Sequence, residues 1–266
     1  MGKFYVEDPK CPPLGRGINF FASRLFAEAI ACFEHALKEL VGGTDTYRLR
    51  ETWKWKGRAY SELRRYKDKL HCFERGIEVD AGDFELWLGK ADALDDLGRS
   101  DEAIPCYDRA LAINPQSCSA WYDRGLVLRK LNRHEEAISS FEHALGIDSK
   151  YSPAWIAKGA ELGALGRFAD EVTCYDRVLA LDPSDLKAWN NRGEALGSMG
   201  RLTEAIACFD RAIELNPRFI EAWFDKGATL LNSGRINEAL PCFEEARLLG
   251  SEQAAQIVQA IRQRMR

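Results

Sequence analysis

Six tryptophans recur at a constant interval of 34 residues, and this spacing constrains the fold more than any other feature of the chain. They are Trp53, Trp87, Trp121, Trp155, Trp189 and Trp223. A fixed period in this range is typical of a helix–turn–helix unit that cannot bury its apolar face alone and therefore stacks on neighbouring copies. The period predicts one all-α stack, where 266 residues could otherwise hold two separate domains.

Residue size alternates in register with the tryptophans, which we number position 4 of each unit. Positions 8, 20 and 27 are mostly glycine or alanine, whereas position 24 is always aromatic. The position-24 residues are Phe73, Tyr107, Phe141, Tyr175, Phe209 and Phe243. Small residues let two helices approach while aromatic rings fill the space between them. Gly98, Gly166, Gly200 and Gly234 indicate where first helices end, and Pro115, Pro183 and Pro217 where second helices end.

This pattern resembles the tetratricopeptide repeat family over nearly the whole chain. The resemblance implies an all-α, right-handed α-solenoid, or superhelix, of about seven helix pairs. The predicted units are approximately residues 10–43, 50–83, 84–117, 118–151, 152–185, 186–219 and 220–250. Residues 1–9 then form an N-terminal extension, and residues 251–266 form a C-terminal helix that caps the apolar face of the last unit.

The first unit is degenerate. Ala29, Phe33 and Ala36 hold positions 20, 24 and 27, but Pro13 stands where tryptophan is expected. The sequence therefore leaves open whether the first helix of this unit forms. Six additional residues, around Gly42, separate this unit from the next one.

Charge and hydropathy narrow the possible partners. The net charge is −4, with 37 basic and 41 acidic residues, which argues against a nucleic-acid partner because phosphates require a basic surface. No stretch is apolar for long enough to predict a signal peptide or a transmembrane helix. We therefore expect a cytoplasmic protein without a membrane partner.

Six of the eight cysteines share position 23. They are Cys32, Cys72, Cys106, Cys174, Cys208 and Cys242. Neighbouring helix pairs lie on the order of 10 Å apart, whereas a disulfide requires Cα atoms within about 7 Å. The column therefore predicts reduced thiols that pack beside the position-24 rings, with no metal site. Without a phosphate-binding loop or a nucleophile motif, we expect no catalytic residue, no enzyme activity and no cofactor.

Two charged columns hold their sign through all seven units. Position 7 is basic in Arg16, Lys56, Lys90, Arg124, Lys158, Arg192 and Lys226, and position 25 is acidic in Glu34, Glu74, Asp108, Glu142, Asp176, Asp210 and Glu244. In the family that the pattern resembles, the first helix of a unit packs on the second helix of the preceding unit. The resemblance therefore predicts six ion pairs across these joints, from Glu34–Lys56 to Asp210–Lys226. The alternative is a basic stripe that binds an acidic ligand.

The resemblance also implies that positions 2, 5, 9, 12 and 13 of the first helices line a concave groove. In the last four units these positions combine apolar anchors with very small neighbours, a pattern that favours a binding site for a protein or peptide. The predicted partner-binding residues are Tyr122, Leu126, Arg129, Ile156, Lys187, Asn190, Phe224 and Leu231. The predicted function is a non-enzymatic interaction scaffold.

Two other functions remain open. Some family members are chaperone adaptors that clamp a partner's terminal carboxylate, and Lys187 and Asn191 match part of that clamp, although Asp225 stands where a base is needed. A self-assembling scaffold would instead place the terminus of another copy in the groove.

The cysteine column generates a direct test. Because the thiols are expected to be unpaired, titration with a thiol reagent under denaturing, non-reducing conditions should detect eight reactive groups per chain. A count well below eight would show that disulfides form and would contradict the packing interpretation.

Overall fold

The computed structural model of the protein describes residues 12–40 and 42–264. The N-terminal extension predicted for residues 1–9 and one cysteine, Cys11, lie outside the described residues. Within the described ranges the chain forms fifteen helices and no strand, which confirms the all-α prediction.

Fourteen of the helices form seven consecutive pairs, and the last helix follows them alone. The helices are α1 (Pro13–Ala22), α2 (Phe26–Leu40), α3 (Thr46–Glu62), α4 (Tyr66–Val79), α5 (Phe84–Asp96), α6 (Ser100–Ile113), α7 (Cys118–Lys130), α8 (His134–Ile147), α9 (Ser152–Ala164), α10 (Phe168–Leu181), α11 (Leu186–Ser198), α12 (Leu202–Leu215), α13 (Ile220–Asn232), α14 (Ile236–Leu248) and α15 (Glu252–Arg264). Each of the six tryptophans lies in a first helix, as the 34-residue spacing predicts.

The chain divides into two compact units, with the boundary between Arg133 and His134. The first unit contains α1 to α7 and the second contains α8 to α15, so the fourth repeat contributes one helix to each. Within each unit successive helices pack on one another. First helices of adjacent repeats also contact each other, as α3 does with α5 and α11 with α13. Each unit is thus a stack of helix pairs in which first helices form one face.

The position-24 rings form the core of this stack. All seven, including Phe33 of the degenerate unit, are at most 4% exposed. A Cβ atom added to Gly193 would lie 2.6 Å from the ring of Phe209, and one added to Gly57 would lie 2.9 Å from the ring of Phe73. These distances are too short for any larger side chain. Position 8 is small because a ring from the paired helix occupies the adjacent space, as the size pattern predicts.

The tryptophans that set the period are only partly buried and have a second role. The indole N–H of five of them donates to the backbone carbonyl oxygen six residues earlier, at 2.9–3.0 Å. Each of these bonds ties a first helix to the loop that precedes it. A buried or half-buried indole requires such an acceptor for its N–H. The 34-residue pattern predicts where these residues lie, but it does not predict this bond.

The charge columns form the predicted ion pairs across all six joints. The pairs are Glu34–Lys56 at 3.1 Å, Glu74–Lys90 at 3.2 Å, Asp108–Arg124 at 2.8 Å, Glu142–Lys158 at 2.8 Å, Asp176–Arg192 at 2.7 Å and Asp210–Lys226 at 2.5 Å. The last acid of the column, Glu244, pairs with Arg262 of α15 at 2.7 Å. Each pair is partly exposed and contributes about 0–1 kcal/mol, so the ladder specifies helix register more than stability.

The basic members of the ladder also contact tryptophan. Lys56, Lys158 and Lys226 place their ammonium groups 5.5–5.9 Å from the centre of the position-4 ring of their own repeat. The guanidinium groups of Arg124 and Arg192 lie 5.9 Å from theirs. A cation at this distance is attracted by the ring face. In these five repeats the base at position 7 therefore contacts both the acid of the preceding repeat and the tryptophan of its own.

None of the seven cysteines within the described residues forms a disulfide. Those of the column on α4, α6, α10, α12 and α14 are buried. Desolvation raises the pKa of Cys72 to about 12 and the pKa of Cys174 to about 11. Such thiols stay protonated at neutral pH and react slowly. Their environment fits the packing role that the column predicts.

The first repeat, which is degenerate in sequence, forms both of its helices, α1 and α2. Pro13 occupies the first position of α1, where its missing N–H has no helical partner to lose. Gly17 of α1 lies against the ring of Phe33 in the way that position 8 does elsewhere. Of the six additional residues, four extend α3 by one turn at its start, and Asp45 caps it by accepting from the Arg48 N–H at 2.9 Å.

The final helix covers the end of the stack, as predicted. Ala254, Val258 and Ile261 of α15 are buried in one cluster with Phe243 and Ala246 of α14. Without α15 this apolar face of the last pair would be in water.

Position 15 ends the first helices in the left-handed backbone region. Gly98, Gly166, Gly200 and Gly234 have φ between 72° and 78°, as expected for helix-terminating glycines. Three repeats place a larger residue there: Arg24, Arg64 and Asn132, with φ of 61°, 55° and 56°. A side chain with a Cβ is strained in this region, and the strain is larger for arginine than for asparagine.

We therefore expect Arg64→Gly to stabilise the protein. Removing the Cβ relieves strain of about 1 kcal/mol, part of which the added freedom of the unfolded chain offsets. Arg64→Ala is the matched control, because it removes the same charge and keeps the Cβ. Urea unfolding should give a higher midpoint for the glycine variant than for the alanine variant, and equal midpoints would show that the backbone at residue 64 is not strained.

Candidate functional site

The first helices of each unit expose a face that contains open cavities, which we call the first-helix face. In the first unit two cavities of about 400 Å³ lie on it, and in the second unit one of about 420 Å³. Register positions 9, 12 and 13 line cavities in both units. These are the positions at which the sequence predicts a binding wall. The face therefore has concave, solvent-accessible space where a partner could bind.

One cavity of the first unit is dominated by carboxylates. The Tyr107 hydroxyl donates to Asp92 Oδ1 at 2.6 Å, and Lys69 pairs with Asp96 at 2.7 Å. Desolvation, followed by the nearby charge of Asp92, raises the pKa of Asp123 to about 6. Leu126, predicted as an anchor, lies in the wall of this cavity.

The cavity of the second unit has a mixed wall. It is lined by Glu194, Gly197 and Ser198 of α11, Leu202 and Phe209 of α12, and Asp225, Ala228, Thr229 and Asn232 of α13. The small residues leave the space open, and the apolar residues of α12 form its floor. The two acids come from adjacent first helices, and their carboxyl groups lie beside each other in the cavity wall.

An asparagine joins these two acids. The Asn190 side-chain NH₂ donates to Glu194 Oε1 and to Asp225 Oδ2, each at 2.7 Å. Asn190 is only 3% exposed. Its Oδ1 accepts no hydrogen bond from any residue in the described part of the chain. Desolvation and then the charge of Asp225 raise the pKa of Glu194 to about 7, even though part of the Glu194 side chain reaches solvent in the cavity.

The acid pairs of the two units have the same register. Asp92 and Glu194 are at position 9 of their repeats, and Asp123 and Asp225 are at position 6 of the following repeats. Because first helices of adjacent repeats contact each other, position 9 of one faces position 6 of the next. Sequence reasoning missed both pairs, although the residues were visible, because this facing relation is not part of the repeat pattern itself.

The predicted apolar anchors are less exposed than expected. Ile156 packs against a cluster that includes Tyr175. Phe224 meets Phe243 edge to face with ring centres 5.6 Å apart, and Leu231 packs on the same C-terminal cluster. Tyr122 is half-buried on α7. These side chains thus combine a core contact with a partly open surface.

The predicted polar residues differ in availability. Arg129 and Lys187 are exposed, whereas Asn190 is buried between two carboxyl groups. Tyr122, Leu126 and Arg129 belong to the first unit, and Ile156, Lys187, Asn190, Phe224 and Leu231 belong to the second. Asn191, the second residue that matches a carboxylate clamp, donates to the Tyr175 hydroxyl at 3.4 Å.

Family sequence models identify the repeat. Models described as tetratricopeptide repeat match residues 56–117, 88–152, 186–219 and 208–240, which together exceed half of the chain. The chain belongs to the tetratricopeptide repeat (TPR) family. Proteins of this family are interaction scaffolds. A comparison with curated proteins finds no match to the sequence.

Solved structures of TPR proteins share the fold. The C-terminal part of a TPR protein from Cytophaga hutchinsonii matches with a TM-score of 0.76 at 15% identity, covering 90% of this chain and 97% of that one. YrrB, described as a TPR protein with an unusual peptide-binding site, matches with a TM-score of 0.60 at 23% identity. The match covers 71% of this chain and 97% of YrrB. MamA from Desulfovibrio magneticus RS-1 matches with a TM-score of 0.59 at 20% identity. The match covers 62% of this chain and 94% of that one. At these identities the comparisons establish the fold.

None of the helices in the described ranges is both long enough and apolar enough to cross a lipid bilayer.

Glu171 of α10, which lies near Glu194, is a buried carboxyl group of the second unit. Glu171 is 9% exposed. Its Oε2 lies 2.6 Å from the position that a Cβ atom on Gly163 would occupy. Desolvation raises the pKa of Glu171 to about 7. Its charge in turn adds to the field at Glu194.

We expect Glu171→Gln to stabilise the protein more at pH 8 than at pH 5. A carboxyl whose pKa is raised on folding contributes stability below its unfolded pKa of about 4.5 and loses it as pH rises through about 7. The glutamine variant does not lose this contribution. The difference in the free energy of unfolding between the two proteins should therefore grow by about 2 kcal/mol from pH 5 to pH 8, after allowance for partial solvation.

Urea unfolding at the two pH values measures this change. Glu204→Gln is the control, since Arg201 lowers the pKa of Glu204 and keeps it ionised at both. A pH-independent difference for Glu171→Gln would contradict the raised pKa.

Proposed function

We propose that this TPR protein is a non-enzymatic interaction scaffold that binds a partner polypeptide on its first-helix face. The observation that carries the proposal is the set of open cavities at positions 9, 12 and 13 of successive first helices. Interaction surfaces need concave space, apolar contact and a few polar groups to fix orientation. The second-unit cavity combines all three.

The apolar contribution comes from the floor and from the half-buried anchors. Leu202 and Phe209 lie at the bottom of the second-unit cavity, and Ala228 keeps it open. Ile156, Phe224 and Leu231 extend the apolar surface along the first helices of the same unit. Anchors that are fixed by their own core contacts lose little conformational entropy when a partner binds. Lys187 of α11 is exposed and would contact polar groups of the partner.

The first unit is proposed as a second, separate contact surface. Tyr122, Leu126 and Arg129 lie on α7, and two of them line the carboxylate-rich cavity. Its charge makes this surface selective for partners with complementary groups.

A carboxylate clamp of the chaperone-adaptor type is less favoured by the same geometry. Asp225 lines the cavity and accepts a hydrogen bond from the Asn190 side-chain NH₂. A partner carboxylate would therefore be repelled by the charge of Asp225. Self-assembly through the first-helix face differs from partner binding in its concentration dependence. Light scattering of the purified protein over a concentration series distinguishes the two.

The proposal predicts that filling the second-unit cavity blocks binding. Truncating Phe224 is a poor test, because its contact with Phe243 would be lost as well. Ala228→Trp instead adds an indole to open space and should weaken partner binding more than tenfold, or about 1.4 kcal/mol. Ala207→Trp, on the exposed surface of α12, is the matched control and should leave affinity unchanged.

Site-specific photo-crosslinking provides the measurement. A photoreactive residue at Ser198, in the cavity wall, should capture the partner, whereas one at Ala207 should not. Capture from Ala207 alone, or equal affinity of the two tryptophan variants, would place the binding surface elsewhere.

A further inference from the structure

A second cleft of the second unit lies between the C-terminal half of α10 and the loop that joins α8 to α9. Its volume is about 420 Å³, and it shares no lining residue with the first-helix cavity of the same unit. A volume of this size is within the usual range of ligand pockets. The cleft is lined by Ser149, Lys150, Trp155, Arg177, Ala180 and Leu181.

The apolar part of this wall is fixed before any partner arrives. Trp155 packs against the buried side chains of Tyr175 and Cys174, and its indole N–H donates to the backbone carbonyl oxygen of Ser149 at 3.0 Å. Leu181, beside it in the cleft, is 41% exposed. An aromatic ring that is already held in place loses little conformational entropy when a partner packs on it.

The polar part of the wall is cationic. Lys150 and Arg177 are exposed, and neither side chain forms an ion pair or a hydrogen bond with any residue in the described ranges. The nearest acids in sequence, Asp148 and Asp182, do not line the cleft. Each accepts a hydrogen bond inside its own loop, from the Lys150 and the Ser184 backbone N–H respectively, at 2.9 Å. The wall therefore presents two positive charges and no negative charge.

The other repeats show that an arginine at this register position is normally satisfied within the fold. Two of the four position-26 arginines pair with a glutamate at position 29 of their own repeat, the second of these pairs at 2.9 Å. A third lies with its guanidinium carbon 5.7 Å from the centre of the position-4 ring. The four arginines are Arg75, Arg109, Arg177 and Arg211.

The fifth repeat departs from both arrangements at one residue. Position 29 is Ala180, which supplies no carboxylate for Arg177 and leaves open the space that a longer side chain would occupy. Arg177 also makes no ring contact with Trp155. The same residue therefore leaves the cation unpaired and opens the cleft next to an exposed leucine.

We propose that this cleft binds an acidic segment of a partner polypeptide in which a large apolar side chain lies next to carboxylates. The inference goes beyond the proposed function, because the cleft lies outside the first-helix face and needs no contact there. The apolar side chain packs on Trp155 and Leu181. A neighbouring carboxylate accepts two parallel N–H bonds from the Arg177 guanidinium group, and Lys150 adds a second positive charge.

The composition of the wall favours a polypeptide over a nucleic acid. Nucleic acids are bound by extended basic surfaces that neutralise several phosphates. The cleft supplies only two cations, and three of its six lining residues are apolar. A segment that combines apolar and acidic side chains matches both halves of the wall, and the matching charges give selectivity.

Peptide selection with a cavity-filled variant tests the inference. Random twelve-residue peptides displayed on phage are selected on the immobilised full chain and then depleted on Ala180→Trp, which fills the cleft without changing the charge. We expect the remaining peptides to share a large apolar residue within two positions of an aspartate or glutamate. Ala112→Trp, at the same position of the third repeat and equally exposed, is the matched control and should bind them as the unmodified protein does.

Charge variants then test the role of the free arginine. Arg177→Gln should weaken the best synthetic peptide about fivefold, and Lys150→Gln should weaken it less. Arg211→Gln changes the net charge equally, but its guanidinium group is already paired, so affinity should change less than twofold. All the substituted residues are exposed, so unfolding temperatures, measured in parallel, should stay the same.

The outcomes separate this inference from the proposed function. Peptides that need the open cleft should tolerate Ala228→Trp, which blocks the first-helix face. If every selected peptide is lost on Ala228→Trp and none on Ala180→Trp, the cleft proposal is overturned and the proposed function stands. Peptides that need the cleft but contain no acid, or an equal effect of Arg177→Gln and Arg211→Gln, would also overturn it. A dimer in light scattering that Ala180→Trp dissociates would assign the cleft to a second copy of the chain instead.

Discussion

The packing of a position-24 ring against the bare backbone of position 8 is the contact on which the rest of the structure depends. Where Gly193 meets Phe209, the distance leaves no room for even a methyl group. This close approach fixes which side of each first helix is inside. The opposite side, with positions 9, 12 and 13, is then left on the surface and forms the first-helix face. The cavities follow from the same constraint that makes the pair stable.

Much of the fold could be predicted because its causes repeat. Two patterns recur in every repeat: residue size at positions 8 and 24, and charge sign at positions 7 and 25. Each prediction therefore rests on seven copies and not on a chance match at one position. The six ion pairs follow from the sign pattern once adjacent helices are known. Features that occur in one repeat were harder to predict. Because Pro13 stands at position 4 of the first repeat, the sequence did not show whether α1 forms. The additional turn that begins α3 at Thr46 depends on the cap at Asp45.

The candidate site was only partly predictable for a physical reason. The register indicates which positions face outward, but it does not indicate which positions of adjacent repeats face each other. Asn190 was therefore predicted as an exposed partner contact, whereas the structure buries it between Glu194 and Asp225. The anchors were correctly placed on first helices, but their core contacts, such as Phe224 with Phe243, depend on side-chain packing that no single-residue pattern encodes.

The ion-pair ladder also determines how such a chain can change in length. Every second helix carries an acid at position 25, and every first helix carries a base at position 7. The terminal helix α15 accepts the final acid through Arg262, as a further repeat would. A duplication or loss of 34 residues would therefore leave each joint chemically matched and the end closed. Because every joint uses the same pairing of an acid with a base, added repeats would lengthen the first-helix face without any change to the existing joints.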